Sequence, residues 1–220
     1  MIRPRVTAII PAYNEEQTIE NVICPLVASP IIDEVFVVSD GSTDRTKEVA
    51  EKAGAHVHEI PRKGKGGAMM YAVTNVDSPI IAFFDADLIG LTEEHIETLL
   101  LPVINSGRMM NVGIRDRGFF WTAISRHLPL ISGERAMDRR VFESVPPEFM
   151  HGFMVESALN YFCKLHKWRF GSVVMHGLTF RRKYQKVPTL LAVVQYISMF
   201  WQVGVAMLTV RLARAFGRIK

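Results

Sequence analysis

The chain has 220 residues, 49% of them apolar, enough for one sizeable core. Its two cysteines, Cys24 and Cys163, exclude a disulfide framework and a CxxC metal site, which fits a reducing compartment. The net charge of +4 is unevenly spread: residues 1–156 carry 15 Lys and Arg against 22 Asp and Glu, whereas residues 157–220 carry 11 and none. Such an imbalance points to an anionic partner near the C-terminal third, either a membrane or a nucleic acid.

The N-terminus runs directly into a strand-like segment and lacks the apolar core of a signal peptide. Val6–Pro11 reads as a buried strand, followed by a loop and a helix from about Glu15 to Val27. Ile32–Ser39 is a second strand, closed by the turn-rich Asp40-Gly41-Ser42-Thr43-Asp44, with a helix from Thr43 to about Ala53. Ala55–Glu59 is a short third strand. Arg62–Gly67 reads as a basic glycine loop leading into a helix over Ala68–Asn75. Ile80–Phe84, wholly apolar, reads as a strand buried on both faces and ends at Asp85 and Asp87.

Thr92 caps a helix to about Leu101, and Met109–Ile114 reads as a strand. Ile131–Met137 reads as a small-residue turn carrying the pair Glu134-Arg135. Phe153–His166 has helical spacing and Arg169–Met175 reads as a strand. The alternation of strands and helices predicts an α/β fold with a mostly parallel sheet covered on both faces. Right-handed crossovers would then bring Pro11–Glu15, Asp40–Asp44 and Asp85–Asp87 to one rim.

Thr189–Val210 contains no charged residue and is long enough to cross a bilayer. Basic residues flank it on both sides. Three readings stay open: helices lying in the cytoplasmic membrane interface, a spanning helix, or a helix buried in the core or in a homo-oligomer. The first two make the basic third a surface for phospholipid or lipid phosphate, with no nucleic acid as partner.

Ile10-Pro11-Ala12-Tyr13-Asn14-Glu15-Glu16, Ser39-Asp40-Gly41-Ser42-Thr43-Asp44, Gly64-Lys65-Gly66-Gly67-Ala68 and Asp85-Ala86-Asp87 follow one another in the order and spacing of the family 2 glycosyltransferases. The chain resembles the branch of dolichyl- and polyprenyl-phosphate sugar transferases. The resemblance implies a GT-A (Rossmann-like) catalytic domain, a mostly parallel mixed sheet flanked by helices, over residues 1–186. Residues 187–220 would form a membrane-associated, apolar helical tail. It also implies that Pro11, Ala12, Tyr13 and Glu15 frame a nucleotide base and ribose, and that Asp40 accepts a hydrogen bond from the base imide. Inversion at the anomeric carbon is a further implication.

Two carboxylates at the open end of a buried strand suit a hard cation, Mg²⁺ or Mn²⁺, shared with a diphosphate. Asp87 is the candidate for direct coordination, with Asp85 on the ribose or sugar, or reaching the metal through a bound water. His176 is a candidate further metal ligand. Lys65, in a glycine loop before a helix, suits a phosphate or the sugar ring. A sugar-hydroxyl acceptor would need a general base, for which Glu156 and Glu134 are the candidates. A lipid-phosphate acceptor needs none, and Arg117, Arg135, Arg181, Arg182 and Lys183 could bind it.

These residues predict a metal-dependent, inverting transferase at the cytoplasmic face of a membrane. It would move a sugar from a UDP- or GDP-linked donor to a polyprenyl phosphate, or alternatively to a soluble or lipid-linked sugar hydroxyl. A non-catalytic nucleotide-sugar-binding membrane subunit is a rival reading. So is a phosphatase with Asp85 as nucleophile, which the other three motifs disfavour.

Overall fold

The computed structural model describes residues 3–115, 133–150 and 154–180. The expectations for Arg117, for Arg181, Arg182 and Lys183, and for the 187–220 tail lie outside the described residues.

Strands β1 (Val6–Ala12), β2 (Glu34–Asp40), β3 (His56–Ile60) and β4 (Ile80–Phe83) alternate with helices α1 (Ile19–Ala28), α2 (Thr46–Lys52) and α3 (Gly64–Asn75). Then come β5 (Leu88–Ile89), α4 (Glu93–Ile104), β6 (Met110–Arg115), β7 (Arg135–Asp138) and α5 (Arg139–Glu143). A 3-10 turn at Pro147–Phe149, α6 (Met154–Leu165), β8 (Phe170–Met175) and β9 (Thr179–Phe180) complete the described chain.

The main sheet has seven strands in the order β3-β2-β1-β4-β7-β6-β8. β1 pairs in parallel with β2 and β4, β2 with β3, and β6 with β8. Only β7 opposes its neighbours. The mostly parallel, helix-flanked α/β sheet is therefore the one expected. Its central strands β1, β2 and β4 are buried on both faces because each face carries its own core. Val6, Ala8 and Ile10 of β1 meet Ile23 and Leu26 of α1 and Leu99 of α4 on one side. Ile9, Ile81 and Phe83 meet Ala72 of α3, Phe142 of α5 and Phe162 of α6 on the other.

Several elements depart from expectation, each for a physical reason. α2 begins at Thr46 rather than Thr43, because the Asp44 carboxylate accepts from the Thr46 amide at 3.0 Å and from its hydroxyl. α4 runs past Pro102 to Ile104, held by the buried Leu100 and Val103. The 131–137 turn is half a strand: Arg135–Asp138 fills the gap between β4 and β6, with Phe83 opposite Arg135 and Ile81 opposite Met137. The basic glycine loop is shorter than expected, and α3 starts at Gly64.

The early start of α3 has two causes. Asp40, at the end of β2, accepts from the amides of Lys63 at 2.6 Å and Gly64 at 2.8 Å, satisfying donors that a helix start leaves open. Gly66 then lets the first turn press on the Met150 carbonyl oxygen, which a Cβ would approach to 1.9 Å. Gly66→Ala should cost about 1–3 kcal/mol through overpacking. A lower urea midpoint at unchanged slope would show it, and an unchanged midpoint would disprove the contact.

Candidate active site

β1, β2 and β4 end on one rim, as their parallel pairing requires. Pro11 lies beyond the last pairing of β1 with β4, Ile9 to Phe83, where a missing N–H is tolerated. Ala12, the last residue of β1, is buried. The turns after β1 and β2 are laced together. Asn14 takes the left-handed φ of 53°, which asparagine tolerates better than most residues. Its Oδ1 accepts from the Thr43 amide at 2.8 Å, and its own amide donates to Ser42 Oγ at 3.2 Å. The Glu15 amide donates to Thr46 Oγ1 at 2.8 Å, and the Glu16 amide to Asp44 Oδ2 at 3.2 Å. Burial opposes the charge on Asp44, but these donors and the Thr46 hydroxyl outweigh it and hold the carboxyl below its ordinary range. The lacing therefore persists above that range and weakens only as pH falls through the lowered value.

Tyr13 carries the Arg62 guanidinium 3.9 Å from its ring centroid, a cation–π contact in which Arg62 stays solvent-exposed. Asp40 spends both oxygens on the start of α3. Each carboxylate oxygen can accept a second bond, so this anchoring is compatible with recognition of a base imide.

β4 stops at Phe83, and Ala86 and Asp87 form a turn rather than a continued strand. Asp85 and Asp87 are nevertheless both half-buried around the buried Ala86. Lys65, in the first turn of α3, joins this edge to the opposite wall. Its Nζ donates to Asp85 Oδ1 at 2.8 Å and reaches Glu156 Oε1, in the first turn of α6, at 3.5 Å. Burial works against its charge, yet Asp85, Glu156 and Glu134 outweigh that and raise its pKa. The ammonium bridge is thus complete below the ordinary lysine value of 10.5 and is lost only as pH rises through the raised one.

Glu156 is 9% exposed, and its Oε2 has no hydrogen-bond partner among the described residues. Glu134 and Arg135 are more deeply enclosed, at 0% and 1%. Arg135 is placed differently from an acceptor-binding arginine. β7 is an interior strand, so the side chain points into the layer beneath α6, where Nη1 donates to Asn160 Oδ1 at 3.0 Å. Burial draws its pKa down, while Glu156, Cys163, Glu134 and Asp85 favour the charge.

Gly133 matters here through the side chain it lacks. The Asp85 carboxylate lies on its α-carbon, and a Cβ would come within 2.5 Å of both carboxylate oxygens.

His176 is exposed on the turn between β8 and β9, and β9 pairs with β5 just beyond Asp87. Among the described residues no three His, Cys, Asp or Glu side chains form a metal cage by themselves. The donor set that fits a hard cation is smaller: Asp87 and Asp85, completed by diphosphate oxygens, as is usual for Mg²⁺.

The model of the glycosyl transferase family 2 matches residues 7–162. The chain belongs to glycosyltransferase family 2. Over 82 residues this family 2 chain is 39% identical to protein RfbJ of Shigella flexneri, covering 37% of this chain and 64% of that one. Over 101 residues it is 37% identical to 4,4'-diaponeurosporenoate glycosyltransferase of Staphylococcus aureus, covering 43% and 27%. It thus spans less than two thirds of the length of these curated relatives. Glucosyl-3-phosphoglycerate synthase from Mycobacterium tuberculosis, solved with Mn²⁺, UDP-glucose and phosphoglyceric acid, matches at a TM-score of 0.75 and 26% identity over 94% of this chain and 79% of that one. The same enzyme solved with Mg²⁺ and UDP also matches at 0.75 and 26%, over the same shares of the two chains.

Gly133→Ala should push Asp85 off its seat and away from Lys65. Displacements of about 1 Å in such sites cost roughly a hundredfold in rate. We expect a loss of that order in sugar-donor turnover with a melting temperature close to that of the parent. Full turnover in Gly133→Ala would remove Asp85 from the site.

Proposed function

We propose that this chain transfers a sugar, with inversion, from a UDP- or GDP-linked donor to a hydroxyl-bearing acceptor at the cytoplasmic face of a membrane. The observation that carries the choice of acceptor is Glu156 Oε2, a buried carboxylate oxygen with no partner among the described residues. Such an oxygen suits the proton of a hydroxyl and repels a phosphate anion. The cation beside it, Lys65, is already shared between Asp85 and Glu156.

In this reading the acceptor oxygen attacks the anomeric carbon from the face opposite the leaving diphosphate. Its proton passes to Glu156 Oε2. The bond from the anomeric carbon to the diphosphate oxygen breaks, and the electron pair stays with that oxygen. Lys65 faces the charge that develops there. Asp40 and Tyr13 hold the base, Asp85 holds the ribose or sugar, and Asp87 would hold Mg²⁺ or Mn²⁺. When bound, the cation supplies charge neutralisation of the leaving diphosphate. The excess of carboxylates over cations along this rim supports a need for it. The relative solved with Mn²⁺ and UDP-glucose supports the donor class.

A second reading, a polyprenyl-phosphate acceptor, is favoured by the C-terminal third, with its 11 Lys and Arg and no acidic residue. No helix among the described residues is long and apolar enough to cross a membrane. The association with a membrane therefore rests on the composition of residues 187–220.

Incubation with radiolabelled UDP- and GDP-sugars, Mn²⁺ or Mg²⁺, and both hydroxyl and polyprenyl-phosphate acceptors tests the proposal. Asp87→Asn should abolish transfer. Glu156→Gln should lower kcat about 10²–10⁴-fold on a hydroxyl acceptor, the usual contribution of a general base. Label that enters polyprenyl phosphate at the same rate in Glu156→Gln would establish the second reading. Nucleotide binding without turnover on any acceptor would point to a non-catalytic subunit.

A further inference from the structure

Asn160 takes no part in the chemistry above, yet it is 4% exposed in the middle of α6. Val155, Ala158, Leu159 and Phe162 of the same helix are apolar and buried, so an amide enclosed beside them needs a partner. That partner is Arg135, whose Nη1 donates to Asn160 Oδ1 at 3.0 Å. Burial disfavours the Arg135 charge, and of its charged neighbours Glu156 favours it most. Glu156 and Asn160 lie four residues apart, and so one turn apart on one side of α6. A hydrogen bond from a buried cation is strong and directional, so it ties this part of the helix to β7.

The other end of the tie belongs to the donor side. β7 runs antiparallel to β4, with Arg135 opposite Phe83. Asp85 is two residues beyond Phe83. Gly133 is two residues before Arg135, and the Asp85 carboxylate rests on its α-carbon. Residues 133–135 therefore seat Asp85 at one end and, through Asn160, the helix that carries Glu156 at the other. Lys65 crosses the same gap, 2.8 Å from Asp85 and 3.5 Å from Glu156. Its ammonium rides on a flexible four-carbon stem and follows the width of the gap. The enclosed Arg135–Asn160 bond is the firmer gauge.

We infer that Asn160 is a positioning residue for sugar transfer: by accepting from the Arg135 guanidinium it holds α6 against β7, and so sets how far the Glu156 carboxylate stands from Asp85 and the sugar donor. This rests on the reading of Glu156 as the general base.

The test is steady-state release of UDP from UDP-glucose and of GDP from GDP-mannose by the full chain, with Mn²⁺ present. Water stands in for the acceptor hydroxyl. Asn160→Leu removes the acceptor oxygen at similar volume. It should lower kcat at least tenfold, since displacements of about 1 Å in such sites cost roughly a hundredfold. The donor KM should stay within about twofold of the parent, because Asn160 is remote from the nucleotide contacts. Asn160→Asp keeps an oxygen for Arg135 and should hold kcat within about threefold of the parent. In a Glu156→Gln background, Asn160→Leu should cost nothing further, whereas a merely structural role would lower both backgrounds alike. If Asn160→Leu melts below the assay temperature, Asn160→Ala is read in its place.

No loss in Asn160→Leu, an equal loss in Asn160→Asp, a loss confined to KM, or the same loss in the Glu156→Gln background would each overturn the positioning role alone. Glu156→Gln with the kcat of the parent, or no release by the parent from either donor, would remove the general-base reading and the inference with it.

Discussion

One ammonium group, that of Lys65, sits between two carboxylates, one after the end of β4 and one in the first turn of α6. It lies 2.8 Å from Asp85 on the strand-end side and 3.5 Å from Glu156 on the helix side. Its position is set remotely. Asp40, at the end of a different strand, anchors the Lys63 and Gly64 amides, which starts α3 early enough to put Lys65 in its first turn. Gly66 lets that turn press against Met150, and Gly133 lets Asp85 lie flat beneath the bridge. The motifs are therefore one connected assembly. The residue proposed to read the base also positions the residue proposed to meet the phosphates.

Such an arrangement keeps several charges partly or wholly out of water. Asp85, Glu134 and Glu156 outnumber Lys65 and Arg135 in this cluster. Breaking a buried pair costs far more than the pair contributes to stability, so clusters of this kind are better read as functional than as stabilising. A diphosphate entering beside these carboxylates is repelled unless a cation comes with it, and half-buried Asp87 is suited to bring one. On the proposed reading, the same excess of negative charge would make Glu156 Oε2 the proton acceptor and an anionic nucleophile the less favoured partner.

The first half of the fold is legible because β1, β2 and β4 are mostly apolar runs ending in polar turns, a pattern fixed by burial on both sheet faces. Other elements depend on contacts far apart in sequence and are less legible. Nothing local marks Gly64 as a helix start, since its cap, Asp40, lies 24 residues away. β7 breaks the strand pattern outright: Arg135 is charged yet enclosed, and its partner Asn160, 25 residues on, helps to make that tolerable. Asp85, Asp87, Tyr13 and Asp40 announce themselves through motif spacing. The contact that Gly133 makes with Asp85 is less legible, because that glycine acts by lacking a side chain.

A crystal structure with a UDP- or GDP-sugar and Mn²⁺ bound would probe this cleft most directly. We predict the base between Tyr13 and Asp40, the diphosphate within reach of Lys65 and Asp87, and the anomeric carbon facing Glu156. A nucleotide bound away from this rim, or a sugar turned away from Glu156, would contradict that arrangement.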